Sequence, residues 1–205
     1  VHRSAPLILL FALVFGQSAL RAQTAAPSGA VTREEQKYFP LAVGNRWVYS
    51  LREHPKTAEK TIKWSCTQKE RVHGKNVYHL WETPSQDDEG LSLAESLAGV
   101  AEAGTDRYLF RIPLRTGDRW NSKSGSLRAK GKMDSFEVIT VGVPCSAGKH
   151  LFSDCVEIRE IDEANNIASL TTYARGVGPV KYVYFKNLHS EEIDTTMIIN
   201  SWEVR

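Results

Sequence analysis

From residue 46 onward, apolar and polar positions alternate with a period of two, the mark of strands that bury one face. Residues 61–72 set Ile62, Trp64 and Cys66 against Lys63, Ser65 and Thr67. The turn His73-Gly74-Lys75-Asn76 folds that run back into 77–81, which predicts a hairpin. Further strands are expected at 46–53, 107–112, 135–143, 154–161, 167–174, 180–185 and 193–204, with Pro144 ending the third of these runs. Residues 121–131 are polar and rich in Gly, Ser and Lys, which reads as a loop or a weak edge strand. The stretch 33–37 is polar and long enough for one helical turn. Residues 91–104 are ambiguous: Leu91, Ala94, Leu97, Ala98 and Ala101 fit helical spacing, but Gly90, Gly99 and Gly104 punctuate them, and a hairpin turning at 97–99 is the other reading. The expectation is one all-β antiparallel domain of about ten to twelve strands, a strongly curved sheet or half-barrel. A closed β-barrel or a β-sandwich is the alternative. No strand–helix–strand alternation is present, which excludes doubly wound folds.

One pattern occurs twice. Residues 39–47 read Phe-Pro-Leu-Ala-Val-Gly-Asn-Arg-Trp, and 112–120 read Ile-Pro-Leu-Arg-Thr-Gly-Asp-Arg-Trp. Pro40 and Pro113 fix φ and lack a donor, so each leads into a turn. Gly44-Asn45 and Gly117-Asp118 supply the turn, because Gly accepts positive φ and Asn or Asp caps itself through its side chain. Trp47 and Trp120 then enter the interior at the start of a strand. The motif instructs folding and carries no catalytic chemistry.

Composition changes the picture at the N-terminus. Residues 1–23 combine a basic head, an apolar run of about twelve residues and a polar end with small side chains, the pattern of a secretory signal and too short to span a bilayer. Residues 24–37 have the composition of a flexible tether, leaving 38–205 as the β domain. Of 26 basic and 24 acidic residues, only Arg3 and Arg21 fall within 1–23, so the remainder balances at 24 and 24. A nucleic-acid surface would need a basic excess on one face, and none is supplied. No transmembrane segment follows the signal, and the address is periplasmic or secreted.

Three cysteines in an exported chain raise the disulfide question. Cys145 and Cys155 flank a short connection and are candidates for a bridge, with Cys66 buried and free; three small buried hydrophobes are the alternative.

Four motifs stand in order: Pro40-Leu41-x-x-Gly44-Asn45-x-Trp47-x-Tyr49; Pro113-Leu114-x-x-Gly117-Asp118-x-Trp120; Val141-x-Val143-Pro144 with Gly148 and Asp154-Cys155-Val156-Glu157; and Gly176-Val177-Gly178-x-Val180-Lys181. The set resembles uncharacterised exported bacterial proteins and lipoproteins assigned to domains of unknown function. That resemblance implies a curved antiparallel half-barrel of the lipoprotein-carrier kind, strands rather than helix over 91–104, and no activity. The chain departs from the pattern at Cys145-Ser146-Ala147. It also lacks the N-terminal cysteine that lipid anchoring requires, its first cysteine being Cys66.

Candidate chemistry is sparse. Cys145, His150 and Asp154 lie close in sequence but belong to one local segment, whereas a nucleophile–base–orienter set is recognised by geometry across a fold. His73 and His79 sit at and beyond a turn, and His54, His150 and His189 are scattered, without metal-ligand spacing. Asp87, Asp88 and Glu89 lack the alternation of a calcium loop. Gly176-Val177-Gly178 lacks the rest of a dinucleotide fingerprint. No catalytic residue, metal ligand or cofactor is therefore expected. The aromatics Trp47, Trp64 and Trp120 are candidates for core or cavity lining, since curved sheets and small barrels hold ligands. The function this favours is a non-enzymatic extracytoplasmic domain binding an apolar small molecule, a lipid or an envelope protein. A purely structural module with a filled core is the alternative.

Overall fold

The computed structural model describes residues 31–84, 90–123 and 133–205. The expected leader, the first part of the tether, the acidic loop and most of the polar stretch after Lys123 lie outside the described residues. The elements are α1 (Val31–Gln36), β1 (Arg46–Glu53), β2 (Glu59–Val72), β3 (Lys75–Thr83), β4 (Leu91–Ser96), β5 (Gly99–Glu102), β6 (Tyr108–Arg111), β7 (Arg119–Lys123), β8 (Met133–Ala147), β9 (His150–Asp162), β10 (Ile167–Ala174), β11 (Gly178–Phe185) and β12 (Ile193–Glu203).

The architecture is an up-and-down meander. β1 to β6 pair in sequence, β7 to β12 pair in sequence, and β12 returns to pair with β1, every ladder being antiparallel. Twelve strands thus form a single sheet curled into a nearly closed barrel, with one seam at which β6 and β7 share no ladder among the described residues. Each six-stranded half opens on one copy of the repeated motif.

Alternation sorts side chains to the two faces. Phe136, Glu160, Ser169 and Tyr184 form one inward row across β8 to β11, and Val138, Ile158, Thr171, Tyr182 and Met197 form the next. Tyr49, Trp64 and Tyr182 meet edge to face inside, with centroids 5.7–6.1 Å apart. The N-terminal segment closes one end of the barrel: Tyr38, Phe39 and Leu41 are buried in the core, with Phe39 against Tyr173 and Tyr38 against Phe110. Residues 31–37, which composition groups with the tether, are helix and turn. Gln36 Nε2 donates to the Ser96 carbonyl, and the Leu114 amide donates to Glu35.

Three expectations are corrected or sharpened. Residues 91–104 are not helical but form the β4–β5 hairpin. Pro144 does not stop its strand: β8 runs on to Ala147 because register shifts at 138/140, 141/143 and 143/145 leave Pro144 without a ladder partner, and a bulge is where a strand tolerates proline. β9 accordingly begins at His150 rather than 154. Trp81 and Trp202 are more exposed than the other indoles, at 45% and 37%.

Candidate functional site

The two motif copies make the same turn. The Gly44 amide donates to Cys66 O, Asn45 N to Ala42 O and Cys66 N to Asn45 O; in the second copy Gly117 N donates to Val138 O, Asp118 N to Arg115 O and Val138 N to Asp118 O, all at 2.8–3.1 Å. Gly44 and Gly117 hold φ of 95° and 87°, which only glycine adopts without strain. Trp47 is buried and donates Nε1–H to the Val177 carbonyl at 2.6 Å. Asn45, also buried, donates to Pro40 O and accepts from the Arg205 amide. Trp120 is buried too, stacked on Phe136 at 5.2 Å, but its Nε1–H donates to Tyr108 O across the seam.

That seam is where polar groups converge. Tyr108 N donates to Ser122 Oγ at 3.2 Å, so both backbone groups of Tyr108 are met by β7 side chains. Just before β6, Arg107 donates Nε–H to Asp134 Oδ2 at 2.9 Å and pairs with Glu102 and Glu160 through its other nitrogens. One guanidinium thereby ties β5, β8 and β9 together. The Asp134 side chain is 1% exposed and that of Arg107 14%. Asp134 Oδ1 finds no hydrogen-bond partner among the described residues. Burial pushes the Glu160 carboxyl up, outweighing the opposing charge of Arg107, and neighbouring Asp134 adds to the rise.

Beside this cluster lies an interior cavity of about 190 Å³. Phe39 lies at its plugged side. Trp64, Phe136, Tyr173, Tyr182 and Tyr184 are its other aromatic walls, and Arg107, Glu102 and Glu160 its charged ones. Burial raises the hydroxyls of Tyr182 and Tyr184, the latter to about 12, with Glu160 and Glu82 reinforcing the rise at Tyr184. A separate groove of about 600 Å³ runs over the outer face of β2 to β5. Its floor is small or short (Val77, Ala94, Ala101, Ser92), and along it Ser92 Oγ, His79 and Glu70 form a hydrogen-bonded chain at 2.9 and 3.1 Å.

The sequence-derived candidates separate. Trp64 lines the cavity; Trp47 belongs to the core, and Trp120 to the seam. His73 and His79 both border the outer groove. Cys145 and Cys155 lie on neighbouring strands with Sγ atoms 2.02 Å apart, and Cys66 is buried and free. His150 hydrogen-bonds the Asn200 carbonyl, while Asp154 accepts from Tyr38 and Arg175, so the Cys–His–Asp set is not assembled. Among the described residues no group of three or more His, Cys, Asp or Glu is placed to hold a metal ion, and no helix is long and apolar enough to cross a membrane. The residue that sequence reasoning missed is Arg107. Its only signal was a charge in front of a short apolar run, and its three partners lie five to 53 positions away.

Fold and cavity together define a twelve-stranded meander barrel, plugged at one end and bridged at its seam by side chains. No family model matches the chain, and no curated protein matches it. Among solved structures it is similar to a Bacteroides fragilis protein described as exported and YmcC-like in fold, at 11% identity over 80% of this chain and 98% of that one, TM-score 0.49. It is also similar to a Parabacteroides distasonis protein described as a lipoprotein, at 9% identity over 81% and 98%, TM-score 0.46. Neither description states an activity or a ligand.

Proposed function

We propose that the chain is a non-enzymatic extracytoplasmic binding domain that holds a small, compact ligand in the interior cavity beside the seam. The observation that supports this reading is the wall of six aromatic rings with a few convergent polar groups, the make-up of small-molecule sites. The volume narrows the ligand. At about 190 Å³ the cavity falls below the ~300 Å³ at which drug-sized sites begin, so a whole acyl chain is too large and a compact head group is the right scale. Native mass spectrometry of protein purified from a periplasmic extract is the test: a co-purifying small molecule, lost when Ser169→Trp fills the cavity of a folded variant, is expected. Only apo protein, with no small molecule bound in a fragment screen by NMR, would leave the filled-barrel module as the better reading. A second reading is favoured by the outer groove, whose larger volume and small-residue floor suit an envelope protein partner; a partner lost on Ala94→Tyr but kept in Ser169→Trp would select it.

The same reading places the chain in an oxidising compartment, where the 145–155 bridge is expected to form. Thiol titration of unfolded, unreduced protein then gives one thiol, and three would refute the bridge.

A further inference from the structure

We propose that the interior cavity selects a small organic cation, an alkylated ammonium group, over neutral and anionic molecules of the same shape. This rests on the binding reading above and names the ligand class of that site. The first observation is a charge imbalance. Glu102, Asp134 and Glu160 converge on Arg107, and Arg107 is the one basic residue among the described residues lining the cavity. Two more acids lie near the cavity without lining it: Asp162, opposite Asp134 in the β8–β9 ladder and hydrogen-bonded by Asn165, and Glu82, which accepts the Trp64 indole N–H at 2.9 Å. The second observation is the incomplete pairing of one of these acids. Asp134, on the same face of β8 as Phe136 and Val138, lies behind Arg107 rather than in the cavity wall, is 1% exposed, and keeps Oδ1 unpartnered among the described residues. A buried carboxylate oxygen left in that state costs free energy that a nearby positive charge returns.

The third observation chooses the kind of cation. A hard metal ion needs several oxygens at coordination distance, and the described residues assemble no such group. The cavity is lined instead by aromatic rings, those of Trp64, Phe136, Tyr173, Tyr182 and Tyr184. Aromatic faces attract soft, weakly hydrated cations, and cages of this composition recognise quaternary and methylated ammonium groups. Arg107 already uses one such face, its guanidinium carbon lying 5.7 Å from the Phe136 centroid. Burial is the main reason the Tyr184 hydroxyl is raised, and Glu160 and Glu82 add to that rise against the opposing charge of Arg107.

The test is a titration of the full chain, by NMR and calorimetry, with three isosteric probes: choline, neutral 3,3-dimethyl-1-butanol and anionic 3,3-dimethylbutanoate. Choline is expected to bind about tenfold more tightly than the neutral alcohol, the scale of a desolvated cation–π contact. That preference should weaken with added salt and shrink in Glu160→Gln and Glu102→Gln. Because the wild-type protein is compared across three probes, the result does not depend on the variants folding. Equal binding of choline and the alcohol would overturn the charge inference while leaving the cavity reading in place. Failure of all three to bind would overturn both.

Discussion

The barrel has two joints, and both begin with the same nine-residue pattern. At the first, β1 is laddered on both sides, to β2 and β12, and the Trp47 N–H is free to pin the 176–178 turn through Val177. At the second, β7 is laddered only to β8 among the described residues. There the Trp120 N–H and the Ser122 hydroxyl occupy the backbone groups of Tyr108 that a ladder would have used. Identical turn chemistry therefore has two outcomes. The flanking strand decides which: β12 offers eleven residues to β1, whereas β6 offers four to β7. The first joint is a backbone closure and the second a side-chain closure. The cavity and the Arg107 cluster lie at the second, because only a joint without a ladder leaves room for a guanidinium to cross.

The largest effect expected from breaking this contrast is at the first joint. Trp47→Ala should cost about 3–5 kcal/mol, through the cavity left in a packed interior, read as a shift of the urea midpoint at unchanged m-value. A near wild-type midpoint would mean that the indole is not core. Next comes Arg107→Met, expected to cost about 3 kcal/mol because it leaves three carboxylates sharing a buried site. Burial already raises the Glu160 carboxyl against the opposing charge of Arg107, and without that charge its ionised form opposes folding, so stability is lost as pH rises through its folded value. The loss should therefore be smaller at about pH 5 than at about pH 7.5, while a pH-independent loss would argue against carboxylate repulsion.

Trp120→Phe sharpens the comparison, since it keeps an aromatic ring to stack on Phe136 while removing the indole N–H along with part of the ring. It should cost about 1–2 kcal/mol for the orphaned Tyr108 carbonyl. The smallest effect is at the plug. Burial alone would raise the Asp154 carboxyl, but hydrogen bonds from Tyr38 and Arg175 and the guanidinium charge bring it below its ordinary value. The stabilisation is thus present above the ordinary carboxylate range and lost as pH falls through the folded value. Tyr38→Phe should cost about 0.5–1.5 kcal/mol at neutral pH, with the difference from wild type shrinking in acid; an unchanged difference there would detach Asp154 from the plug.

Strand count, antiparallel class and the repeated turn were legible in the sequence because each depends on neighbours within a few residues: alternation in 61–72, Gly44-Asn45, Gly117-Asp118. The closure was not. Whether β1 meets β12 depends on residues some 150 positions apart, and no local pattern carries that. Pro144 misled for a related reason. Proline is forbidden in a ladder but not in a bulge, and the bulge is defined only by β9 opposite. Among the aromatics, Trp64 could be nominated for the cavity, but the tyrosines of β10 and β11 looked like ordinary strand residues. Arg107 looked like a surface charge, since its role exists only once β5, β8 and β9 surround it.

The central claim is that one joint is held by backbone and the other by side chains. Amide hydrogen exchange followed residue by residue in wild type and Trp120→Phe tests it directly. The account predicts strong, unchanged protection across β1 and β12, weaker protection at Tyr108 in the wild type, and a further loss confined to β6 and β7 in the variant. Equal protection of the two joints in the wild type, or a loss in the variant that spreads evenly around the barrel, would contradict it.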